Sequence, residues 1–143
     1  EVSSADINLE GGLGLWDDLV IRKAEGELDY AMCANSTNAL GCLAASESAG
    51  RTDYKVFGID DEVDQLAALT KENGIYYATV AQNPFEIGVR VMEAAVHAVE
   101  GQDDGIVKVD GILVTRDTVQ EYMANREKAL EELKDYLAII TAS

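Results

Sequence analysis

The chain has 143 residues, 48% of them hydrophobic, which suits one domain with a real core and sets disorder aside. Eleven Lys and Arg face 27 Asp and Glu, a formal net charge of −16; this argues against a surface for nucleic acid or anionic lipid, whereas a neutral ligand meets no Coulomb penalty. Two cysteines outside any CxxC pair and a single histidine are too few ligands for a zinc site, and no run reaches the roughly 20 apolar residues that span a bilayer.

The first residue is Glu1 rather than Met, and residues 2–5 read as the tail of a strand. This start is the one expected of a processed, truncated or nicked product. Residues 14–24 have helical spacing, with Leu15, Leu19, Trp16 and Val20 on the inner side. Residues 29–34 form a short apolar strand. A helix follows over 37–49 and ends at Gly50, a suitable C′ residue. Cys33 and Cys42 fall on this strand and helix and are expected as buried thiols. Residues 54–59 make a second buried strand, and Asp60 and Asp61 open a helix carrying Val63, Leu66, Ala67 and Leu69. Residues 75–81 form another strand, in which Tyr76 and Tyr77 serve sheet packing. Gln82 and Asn83 then lead to Pro84 in the first turn of a helix running to about Glu100. That helix is apolar over much of its surface, through Phe85, Ile87, Val91, Met92, Ala95 and Val99. Residues 106–114 are extended. Residues 118–140 form a long amphipathic helix, with Val119, Tyr122, Met123, Leu130, Leu133, Leu137 and Ile140 near helical spacing.

Strands alternating with helices define an α/β fold built of βαβ units around a parallel sheet. In such sheets ligands bind beyond the carboxyl ends of the strands. The residues there are Asn35, Ser36, Asp60, Asp61, Gln82 and Asn83. Amides that donate and accept, beside a carboxylate that accepts from adjacent hydroxyls, suit a polyol. Phosphate would call for backbone amides with Lys or Arg, and no nucleophile–base pair is present. Taken singly, each of these residues reads more readily as a helix N-cap, so the chemistry alone leaves the function open.

Other motifs carry less. Asp6, Asn8, Glu10, Gly11 and Asp17 echo a calcium loop, but Glu at the fifth place and Asp at the twelfth favour a polar loop before a helix. Gly12 and Gly14 are followed by Asp17 where a dinucleotide fingerprint needs Gly. His97 lies alone on an apolar helix, as a packing or surface residue. Ser3, Ser4, Ser46 and Ser48 lack a nucleophile-elbow context.

Three segments share one resemblance. Residues 34–41 (ANSTNALG) place an Asn at a strand end before an "ALG" helix. Residues 56–60 (VFGID) end a strand as V-x-G-hydrophobic-D, and residues 78–84 (ATVAQNP) match A-T-[IV]-A-Q-x-P. In order and spacing the set, within about residues 29–100, resembles the type I periplasmic sugar-binding proteins of ribose and galactose type. The resemblance implies the C-terminal lobe of a two-lobed receptor over residues 1–115 and a helical extension over 116–143. It implies that Asn35, Asp60 and Gln82 bind sugar hydroxyls, with no metal, cofactor or catalytic residue. Ile59 stands where relatives often carry an aromatic, and Ser36 where many carry Asp, which leaves the choice of sugar open. The helix over 84–100 would pack on a missing N-terminal lobe, supplied by another chain or by a second copy. The implied role is an extracytoplasmic receptor, periplasmic or a cell-surface lipoprotein, that delivers ligand to an ABC transporter permease by hinge closure, without inserting in the membrane or binding nucleic acid. The rival readings are the effector domain of a LacI-type regulator and a flavodoxin-like enzyme or receiver domain. The first shares the fold. The second lacks its phosphate loop and its acidic pocket with Lys.

Overall fold

The computed structural model describes the backbone of residues 8–141 and the side chains of residues 8–134. The strand expected over 2–5, the first residues of the calcium-loop motif, and Leu137 and Ile140 lie outside the described residues. The order of elements is α1 (Leu9–Arg22), β1 (Tyr30–Met32), α2 (Ser36–Ser48), β2 (Lys55–Ile59), α3 (Val63–Leu69), β3 (Tyr76–Ala81), α4 (Pro84–Val99), β4 (Ile112–Thr115) and α5 (Val119–Thr141). The sheet runs β1-β2-β3-β4, with the first three strands parallel and β4 antiparallel to β3.

The α/β, mostly parallel architecture is the one the alternation implied, with one correction: the last strand is antiparallel. Its direction follows from where the chain re-enters. Ala81 leaves β3 and Ile112 enters β4 directly opposite it, so the strand must run back. Gly111 makes this return close-fitting, since a Cβ there would meet Val80 Cγ1 at 2.6 Å. Of the expected extended segment only residues 112–114 pair, as part of the strand Ile112–Thr115.

Helix α1 begins earlier than its apolar spacing suggested. Asn8 caps it by accepting from the Gly11 amide at 2.7 Å. The helix therefore absorbs most of the calcium-loop motif, whose residues from Leu9 onward are helical. The glycines that look like a loop serve packing. A Cβ on Gly41 of α2 would lie 2.7 Å from Gly12 C and Leu13 N, so α1 and α2 cross at glycine on both sides. Trp16 and Val20 are buried beneath this crossing, while Leu15 and Leu19 are only partly covered. Arg51 closes the far end of α1 by donating to the carbonyls of Val20, Lys23 and Ala24, and pairs with Asp53 at 2.6 Å. The guanidinium and the Gly26 amide hold the Asp53 carboxyl well below the usual carboxylate range.

The core lies on one face of the sheet. Val56, Leu66, Leu69, Tyr76, Val114 and Val119 are almost fully buried. Cys33, just past β1, and Cys42 in α2 are buried free thiols. The hydrogen bond with Cys33, and then burial, push the Cys42 thiol up, so it stays protonated. Tyr54 donates or accepts with Ser46 Oγ at 2.5 Å, and burial pushes its hydroxyl up to about 12. The two tyrosines of β3 diverge. Tyr76 points into the core, whereas Tyr77 lies outside, with Lys55 Nζ and Arg116 Cζ at 4.8 and 4.2 Å from its ring centre.

Only some of the apolar residues of α3 face inward. Val63 and Ala67 are exposed, and Gln65 is buried with Leu66, Ala68 and Leu69. Gln65 is accepted inside because its amide is fully used. Nε2 donates to Ile59 O and to Tyr76 Oη, each at 2.9 Å, and Oε1 accepts from the Glu62 amide. Gly58 makes room for this network, because a Cβ there would run into the Tyr76 hydroxyl.

The opposite face of the sheet is open: Met32, Ile59, Val80 and Leu113 are exposed along it. Helix α4 contains no buried residue, and Val91, Met92, Val96 and Val99 all face solvent. In α5, Val119 is buried, Tyr122 and Met123 pack against the core, and Leu130 and Leu133 are largely exposed.

Two stability outcomes follow for the full-length protein, read as denaturant midpoints. Gly41→Ala forces the helices apart and costs about 1–3 kcal/mol, whereas Gly14→Ala, with nothing within 4 Å of the new Cβ, gains up to about 1 kcal/mol. Gln65→Leu costs about 1–3 kcal/mol for each buried partner left unpaired. Adding Tyr76→Phe costs less than the two single changes summed, because one orphaned group is removed with its partner.

Candidate functional site

The carboxyl ends of the three parallel strands bring Asn35, Asp60 and Gln82 to one rim. Asn35 is the N-cap of α2. Its Oδ1 accepts from the Asn38 amide and from Thr37 Oγ1 at 2.9 Å, and from Asn38 Nδ2 at 3.0 Å. The cap reading holds for this residue. Among the described residues its Nδ2 has no protein partner.

Asp60 is not a cap, since Glu62 holds that position on α3. The Asp60 carboxylate instead joins the strand ends. Oδ2 accepts from the Ser36 amide at 3.0 Å, and Oδ1 accepts from Gln82 Nε2. The Ser36 amide belongs to the first turn of α2, where the helix dipole favours negative charge. Each Asp60 oxygen keeps lone-pair capacity for a further donor. Asp60 has φ +81°, a left-handed conformation uncommon outside glycine and tolerated best by Asp and Asn. Its backbone is pinned on both sides: its amide donates to Val80 O at 2.9 Å, and its carbonyl accepts from Thr79 Oγ1 at 2.7 Å.

Ser36 is buried and donates to Glu62 Oε1 at 3.3 Å, so its hydroxyl is occupied within the lobe. Asp61 turns away from the rim to Tyr122 and Arg126 of α5. Gln82 is exposed, and among the described residues its Oε1 has no donor. Asn83 occupies the N-cap position of α4 with φ +54° and makes no side-chain cap bond. Ile59 is 39% exposed beside the rim. Among the described residues no group of three or more His, Cys, Asp or Glu could hold a metal, and no helix is long and apolar enough to cross a membrane.

Gln65 and Thr79 support the Asp60 turn without touching the rim, and neither was singled out from the sequence. The available signal was a Gln at the third position of a short helix and a Thr inside an apolar strand. The rim itself is open. Two grooves, of about 320 and 460 Å³, lie at the opposite pole, around Ser46, Thr52, Asn73, Gly74 and Ile75. Strand-end chemistry, rather than cavity size, marks the site.

The periplasmic binding protein domain matches residues 15–103. The ribose import binding proteins RbsB of Salmonella typhimurium and Escherichia coli K12 are each 32% identical over 98 residues, which is 68% of this chain and 32% of theirs. The chain thus spans about a third of the length of the curated relatives it matches. Among solved structures, a Bacillus halodurans ABC transporter solute-binding protein with bound myo-inositol is 30% identical, with TM-score 0.70, over 84% of this chain and 41% of that one. An Agrobacterium vitis solute-binding protein with bound allitol superposes with TM-score 0.75 at 22% identity, over 82% of this chain and 41% of that one. A Shewanella arabinose-binding component reaches TM-score 0.74 at 20% identity, over 92% and 44%. With a mostly parallel sheet whose strand ends gather Asn35, Asp60 and Gln82, the chain belongs to the periplasmic binding protein domain family.

Proposed function

We propose that this chain forms one side of a cleft that closes on a sugar or sugar-like polyol, as the C-terminal lobe of an ABC transporter's solute-binding receptor. The observation that carries the reading is the Asp60 carboxylate, bridged between the Ser36 amide and Gln82 with lone pairs to spare. Adjacent hydroxyls can donate to such a carboxylate, while Asn35 Nδ2 and Gln82 Oε1 supply a donor and an acceptor. Recognition is by hydrogen bonding and hinge closure, with no covalent step.

The open rim agrees with a half-cleft, because a ligand held only there would keep much of its surface in water. Residues 1–115 make up the lobe and residues 116–143 an extension. Helix 84–100 packs on the N-terminal lobe, from another chain or a second copy. Its exposed Val91, Met92, Val96 and Val99 support that role. The left-handed Asn83 marks the point where the chain leaves the lobe. The receptor works outside the cytoplasm, as a periplasmic protein or a surface lipoprotein, and hands its ligand to a permease. The import receptors among the relatives support transport over gene regulation.

Calorimetry on the full-length protein across monosaccharides and cyclic and acyclic polyols tests this. One member of the panel binds, and Asp60→Ala and Gln82→Ala each weaken it by about 10-fold or more, the loss expected for a hydrogen bond to a charged group. Unchanged affinity in both variants would remove the cleft assignment.

A further inference from the structure

Helix α5 lies beyond the residues that match the family, yet it reaches the loop that carries Asp60. Val119 anchors the helix in the core, with Tyr122 and Met123 packed above it. One turn on, two side chains converge on Asp61. The Tyr122 hydroxyl donates to Asp61 Oδ2 at 2.7 Å, and Arg126 Nε stands 3.2 Å from the same oxygen. The Asp61 side chain is only 15% exposed, and that of Arg126 31%. Burial, and then the Asp61 carboxylate, push the Tyr122 hydroxyl up, so it keeps its proton and acts as donor.

Asp61 is bonded directly to Asp60, whose φ of +81° few residues adopt without support. On one side that turn is held to β3 through Thr79 and Val80. On the other side it is held through Asp61 and through Glu62, which accepts from Ser36 Oγ and donates its amide to Gln65. The carboxylates of Asp60 and Asp61 point to different partners, one to the rim and one to α5, so fixing Asp61 adds a second hold, beside the Thr79 bond to the Asp60 carbonyl, on the peptide between them.

The geometry points to Tyr122 and Arg126 as positioning residues that act through Asp61 to hold the Asp60 carboxylate at the rim. This role rests on the proposed ligand-binding reading. It makes the C-terminal helix part of the binding apparatus, although it contributes no group to the rim.

The test compares the full-length wild type with Tyr122→Phe, Arg126→Gln and the double variant. Amide hydrogen exchange is read at Ser36, whose N–H meets Asp60 Oδ2, and at Ala49, whose amide bonds Ala45 O at the far end of α2. In the double variant Ser36 exchanges at least about fivefold faster while Ala49 is unchanged, and Arg126→Lys falls between wild type and Arg126→Gln. For any ligand found by calorimetry, the double variant raises Kd about fivefold. Ile75→Val, a core change at the other end of β3, lowers Tm but leaves Kd alone. Unchanged Ser36 exchange, or unchanged Kd beside a lowered Tm, would overturn the positioning role. If the wild type binds nothing in the panel, the proposed cleft falls instead, and the exchange at Ser36 still decides what α5 does.

Discussion

A single turn at Asp60 joins the parts of this lobe. Its left-handed backbone lets one residue offer its amide and carbonyl to β3 while its carboxylate reaches sideways to the start of α2 and to the end of β3. Three strand ends that are far apart in sequence thereby become one polar surface. The geometry costs backbone strain of the order of 1–3 kcal/mol, a conformation that persists only where the surroundings over-determine it. Here they do. Gln65 holds the Ile59 carbonyl, Thr79 holds the Asp60 carbonyl, and α5 holds Asp61. A side chain whose backbone is fixed from several directions has little freedom left to lose when it meets a partner.

Close helix packing sets that turn in place. The glycine crossing of α1 on α2 fixes the start of α2, and the start of α2 presents the Ser36 amide. Gly58, the residue two before Asp60, admits the Tyr76 hydroxyl and with it the Gln65 network. The glycines at 41 and 58 belong to the segments that carry the resemblance. Their physical role is close approach rather than flexibility, since neither has a positive φ.

Much of this was legible in the sequence, for reasons that differ by element. The strands β2 and β3 are short apolar runs bounded by polar turns, and their limits agree with the pattern to within a residue. The start of α1 was not legible, because glycines at 11, 12 and 14 read as loop unless a second helix is known to lie against them. The burial of α3 was not legible: two helical turns are too few for a clear period, and Gln65 enters the core only because three partners await it. The direction of β4 depends on where a long excursion returns, which local pattern does not encode. Of the rim, Asn35, Asp60 and Gln82 could be named, but the bonds that join it, from Ser36 and Gln82 to Asp60, span 24 and 22 positions and emerge only in the fold. As strand-end carboxylates Asp60 and Asp61 looked alike, and only the resemblance set Asp60 apart. The structure separates them physically, giving one to the rim and the other to α5.

The exposed apolar surface bears on how the lobe exists. A small α/β unit has little stability to spare, because net stability is a small difference between large opposing terms. This one covers only one face of its sheet, and it projects a 16-residue helix with no buried side chain. Leaving Met32, Leu113, Val91, Met92 and Val96 in water forgoes about 25 cal/mol for each Å² of apolar area that a partner surface could cover. At −16 the lobe repels itself, and several of its few cations are committed to bonds within the lobe, Arg51 and Arg116 to backbone carbonyls and Arg126 to Asp61. Docking on a second body would add apolar burial. On the proposed reading, the same contact would bring a facing wall to the Asp60 rim, so that stability and ligand enclosure would rise together.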